Sequence, residues 1–157
     1  MAREAVAAVR DDAEVVRAYG ALRAVAEGHA CVFKNIVGEE ELRVGGLLVP
    51  VAGEPKVVLL IEAIPTADSS DVSRLRCNAR LMDVVLEEDN PFSLVDVPFE
   101  LRGFYGARVV PFLMASAFDA EARDEALAAG VVPVLRSGVA FALDARAPLP
   151  LAEGSAR

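Results

Sequence analysis

PKVVLLIEAIPTADSSD, residues Pro55 to Asp71, decides how this chain folds. Val57 to Ile61 form an unbroken apolar run, Glu62 ends it, and Pro65 follows two residues after Ala63. A short, continuously apolar run between prolines predicts a strand covered on both faces, at the centre of a sheet and breaking at Pro65. Downstream, in TADSSDVSRLRCNARLMDVVLEED, Val72, Leu75, Ala79, Met82 and Leu86 fall on one stripe, and Asp68 or Ser70 is placed to cap the first turn. That spacing predicts an amphipathic helix directly after the strand.

Upstream of the strand, Val6, Val9, Ala13, Val16, Tyr19, Leu22 and Val25 recur every three or four residues. The pattern predicts one long helix over residues 1–28, kinked at Gly20. HACVFKNIV and EELRVGGLLVPVAGEP read as two strands, the second ending in the turn at residues 52–55. Downstream, ARVVPFLMAS reads as a strand, and FDAEARDEALAAG as a helix with Asp119 at its start and Gly130 at its stop. VVPVL adds a last strand, which Pro133 assigns to an edge.

The predicted fold class is therefore α/β, with a mixed central sheet flanked by helices in the order α-β-β-β-α-β-α-β. The first three strands meander antiparallel, and the later ones return through helices to lie parallel to the third. Residues 1–144 form a single domain, and the Pro-, Ala- and Gly-rich residues 145–157 form a flexible tail. A chain of 157 residues suits one core.

Composition narrows the function. No segment is apolar over the roughly 20 residues a membrane helix needs, and MAREAVAAVRDD lacks the layout of a signal peptide, so the chain reads as cytoplasmic. A net charge of −8 disfavours DNA as a partner. Lys34 and Lys56 are the only lysines and glutamine is absent, a usage that suits a GC-rich or heat-adapted source. Cys31 and Cys77 are too few and too far apart for a paired thiolate site and read as small core residues. His29, the single histidine, sits where a helix would end and reads as a cap or surface residue.

The helix, three strands, helix, strand order resembles that of the restriction-endonuclease-like PD-(D/E)XK nuclease superfamily. SRLRCNARLMDVVLEE resembles the helix after the catalytic strand in archaeal RecB-like and Holliday-resolvase-like members. ARVVPFLMASAFDAEARDEALAAGVVPVL is similar to the strand, helix and strand that follow it. The resemblance covers roughly residues 2 to 136.

It implies a divalent-metal site built from an aspartate on the second strand and a Glu-x-Lys on the third, with two carboxylates holding Mg²⁺ and the lysine assisting the nucleophile. Glu62 stands where the acid would be, Ile64 stands in the lysine position, and Gly45 and Gly46 fall near the aspartate position. The motif is degenerate. The expected role is a non-catalytic structural or protein-interaction subunit, without cofactor, partnered by itself or another protein, in a DNA-processing assembly.

Two alternatives remain. A Mg²⁺-dependent nuclease could use migrated ligands: Glu62 with Asp68, Asp71 or one of Glu39, Glu40 and Glu41. Lys56 starts roughly 20 Å from Glu62 along an extended chain, too far to replace the lysine. A non-cleaving nucleic-acid module could instead use Arg43, Arg74, Arg76 and Arg80. In the structural reading, Glu62 caps its strand end by accepting hydrogen bonds from the TADSSD helix start or by pairing with an arginine of the following helix. The segment from Pro91 to Gly106 holds four of the nine aromatics, Phe92, Phe99, Phe104 and Tyr105, and reads equally as an interface or a lid on the core.

Overall fold

The computed structural model describes residues 2–26, 30–34, 39–43, 46–50, 57–87, 93–94 and 102–149. In place of one long N-terminal helix there are two helices and a strand: α1 (Ala2–Arg10), α2 (Ala13–Tyr19) and β1 (Leu22–Ala26). Asp12 causes the first break, its carboxylate accepting from the N–H groups of Glu14 (2.9 Å) and Val15 (3.1 Å) and so starting α2. Gly20 causes the second. With φ at 81° it adopts a conformation open to glycine, ending the helix where a kink was expected. Leu22 to Ala26 then joins a sheet ladder, a tertiary contact that overrides the helical spacing.

The strands that follow are β2 (Ala30–Lys34), β3 (Glu39–Arg43), β4 (Leu47–Pro50) and β5 (Val57–Ala67). After these come α3 (Ser69–Val85), β6 (Ser93–Leu94), β7 (Arg108–Phe118), α4 (Ala120–Ala129), β8 (Val132–Ser137) and β9 (Ala140–Leu143). The main sheet has the order β1-β4-β5-β7-β8-β9. β5, β7 and β8 are mutually parallel, and the outer pairs are antiparallel. The described part of HACVFKNIV, Ala30–Lys34, lies in β2, which pairs with β3 and β6 in a separate three-stranded sheet. The run expected as one second strand is divided between β3 in the small sheet and β4 in the main one.

β5 is the inner strand its apolar run predicts, with Val57 to Ile61 all buried. It also continues through Pro65, where a break was expected. The β4 partner reaches only Leu59 and Leu60, so Pro65, lacking an N–H, interrupts no described ladder on that side. Pro133 likewise does not mark an edge. β8 is inner, β9 is the edge, and the ladder between them starts at Val134, one residue past the proline.

Alternation along the strands sorts the core into two faces. Val58, Leu60, Leu113 and Ala115 meet Val72, Leu75, Ala79 and Met82 of α3 and Ala122 and Ala126 of α4. Leu59, Ile61, Phe112 and Met114 meet Val6 and Val9 of α1 and Val15 and Tyr19 of α2. The α3 stripe is as expected. Residues expected in the tail are partly packed, since Ala147 and Leu149 lie against the second face.

Candidate functional site

Glu62 follows Val58 and Leu60 on the α3 face of β5, just past the strand's continuously buried run and before α3 begins at Ser69. The start of α3 is fixed by a capping box. The Asp68 carboxylate accepts from Ser70 N (2.8 Å), Asp71 N (3.1 Å) and Ser70 Oγ (2.6 Å), and Asp71 Oδ2 accepts from Asp68 N (3.0 Å). The Ser70 hydroxyl and the Asp71 N–H hold the Asp68 carboxyl below its ordinary range. Its Oδ1 is thus committed to its own helix.

One turn further on, Arg74 Nη2 reaches both Glu62 Oε1 and Asp71 Oδ1, the latter at 2.8 Å. The Glu62 bond is the main reason the guanidinium binds its proton more tightly than usual. Glu62 sits in the middle of β5 and not at a strand end as expected, while of its two expected pairings the one with an arginine of the next helix is adopted. Ile64 packs against the α3-side core. Among the described residues, no three His, Cys, Asp or Glu side chains converge as a cation site.

The remaining candidates do not gather around Glu62. Arg76 and Arg80 are exposed on α3, and Arg76 borders a shallow groove with Glu125 of α4. Cys77 is also exposed, against its expected place in the core, because the helical period turns it away from the stripe. Glu39, Glu40 and Glu41 lie on β3, opposite Lys34, Phe33 and Val32 of β2. The side chains of Arg43 and Cys31 lie outside the described residues, as do His29, Phe92 and Phe99. Phe104 packs on the core, whereas Tyr105 is partly exposed.

Two further acidic residues find their partners on other elements. Asp83 on α3 accepts from Val109 N (3.2 Å) at the start of β7; its burial raises the carboxyl pKa, an effect that bond and Arg108 partly offset. Asp144, just after β9, has a fully buried carboxylate. It accepts from Arg123 Nε of α4 (2.5 Å) and from Arg146 N (2.9 Å), and Arg146 also reaches Asp124 (3.2 Å). The only sequence signal was a lone acid closing the apolar run AFAL; its main partner is 21 residues earlier. A groove of about 660 Å³ opens beside it, between α2 and β9, bordered by Leu143, Ala147 and Leu149. No family model, curated protein or solved structure matches the chain.

Proposed function

We propose that this chain is a non-catalytic restriction-endonuclease-like domain, acting as a structural or protein-interaction subunit in a DNA-processing assembly. The observation that carries the reading is Arg74. A cation from α3 sits between Glu62 and Asp71, pairing with one oxygen of each carboxylate where a metal ion would otherwise have to neutralise them. Arginine stays protonated and makes a poor base, so the arrangement suits a clamp between strand and helix better than a centre that activates water. Further support comes from the order within the main sheet: helices, the antiparallel strands β1, β4 and β5, then α3 and the parallel strand β7.

The test is a thermal melt with EDTA and then with millimolar Mn²⁺, on the wild type and on Glu62→Gln. The expected result is no metal-dependent shift in either protein. A site filled to about a hundred times its Kd would add about 2.7 kcal/mol, or roughly 5–10 °C at this chain length. A rise of that size, lost in Glu62→Gln, would replace this reading with the nuclease one.

A further inference from the structure

The β8–β9 hairpin ends the main sheet among the described residues, and its edge strand β9 is only four residues long. Sheet edges are normally guarded by short length, charge, proline or a bulge, and here short length alone applies. Ser137 to Leu143, SGVAFAL, has no charged residue and no proline, and its register is regular. Gly138 supplies the positive φ, 62°, of a two-residue turn. Antiparallel alternation then turns the backbone groups of Ala140 and Ala142 toward β8, and the Asp144 N–H bond to Pro133 O (3.0 Å) continues that phase. The N–H and C=O groups of Phe141 and Leu143 therefore point away from the sheet.

At the turn, Val139 is 98% exposed, the most exposed of the large apolar side chains among the described residues. Four residues on, Leu143 borders the groove with Ala147 and Leu149. One strand thus carries an apolar projection at one end and an apolar recess at the other.

We infer that β9 pairs antiparallel with β9 of a second copy, about a twofold axis at Phe141. This register sets Phe141 opposite Phe141 and Val139 opposite Leu143 of the other copy, so each projection meets a recess. Such self-complementarity is what an isologous interface requires. Charge agrees with it. Arg136, the only charge on the hairpin beyond Val134, lies near Phe141 on the tip, while on the groove's α2 rim Glu14 pairs with Arg17 and the α2-capping Asp12 leaves one negative charge in excess.

A four-residue strand and the rim of one groove form a small contact, of the kind found in weak and transient associations, so the dimer is sought at high protein concentration. This names a partner for the interaction role proposed above and rests on that reading for its purpose, but the two fail separately. A monomeric chain removes the dimer and leaves the metal test untouched.

The experiment is sedimentation velocity on the full chain up to about 1 mM, at an ionic strength where the net charge is screened within about 8 Å. The wild type is expected to shift from monomer to dimer with concentration. Val139→Asp, at an exposed turn, is expected to remain monomeric with an unchanged melting temperature, and Arg136→Glu to weaken the dimer several-fold. A wild type monomeric throughout would overturn the inference and leave the edge to an extended segment of another protein. A dimer indifferent to Val139→Asp would overturn it equally.

Discussion

Asp144→Asn is the sharpest test of how the C-terminal end of the fold is held. The wild-type carboxylate is 1% exposed and accepts a short bond from Arg123, a backbone bond from Arg146 and longer contacts from the Arg146 guanidinium. A hydrogen bond to a charged group contributes about 1.5–3 kcal/mol, and breaking a wholly buried pair costs about 3–5. Arg123 and Arg146 are 39% and 54% exposed, so water can solvate them once Asp144 loses its charge. The loss is therefore about 2–3 kcal/mol, or roughly 5–10 °C in Tm for a chain of this length.

The assay is a pair of thermal melts followed by circular dichroism, at neutral pH and near pH 2. Arg123, more than any other group, holds the Asp144 carboxyl well below the usual carboxylate range in the folded state. A depressed folded pKa contributes stability that is complete above the unfolded value, near 4, and is lost as pH falls toward the folded one. The gap between wild type and Asp144→Asn should thus be full above about pH 5 and narrow in strong acid. Equal melting temperatures at neutral pH, or a gap that ignores pH, would refute the reasoning.

Two further substitutions test the packing around β4 and α3. Gly46→Ala would place a methyl 2.6 Å from Cγ2 of buried Val6, whose stiff χ1 cannot yield, and should cost about 1–3 kcal/mol in urea unfolding. Adding Val6→Ala should recover part of that loss. Asp68→Ala removes the capping box of α3 and should cost about 1 kcal/mol by the same measurement, whereas a metal ligand at Asp68 would instead show a change only when Mn²⁺ is present.

What could be read in advance follows from where each residue's partner lies. β5, α3, β7 and α4 carry their own signals, whether an apolar run, a helical stripe, Asp68 or Gly130, so these elements were legible. Residues 2–26 carried a helical spacing all along, but Asp12 and Gly20 cut it locally and β4 captured the last part. β9 was missed because AFAL alternates only between alanine and larger residues, a weak period-two signal. Around Glu62, the arginine that pairs with it was foreseeable, since α3 packs directly on β5. The Asp144 cluster was not, because its partners come from α4 and the chain end and meet only in the folded molecule.

The detour through the small sheet has a practical meaning for anyone cutting or grafting this chain. β1 and β4 are antiparallel neighbours with Ala26 opposite Leu47, so the chain leaves the main sheet and re-enters it at almost the same point. Paired Cα atoms lie about 5 Å apart, a gap that a turn of a few residues can bridge. The intervening stretch is not closed on itself, because β2 also pairs with β6 from beyond α3. A hairpin turn put in its place would spare the β1–β4 ladder and take from β6 the strand it pairs with.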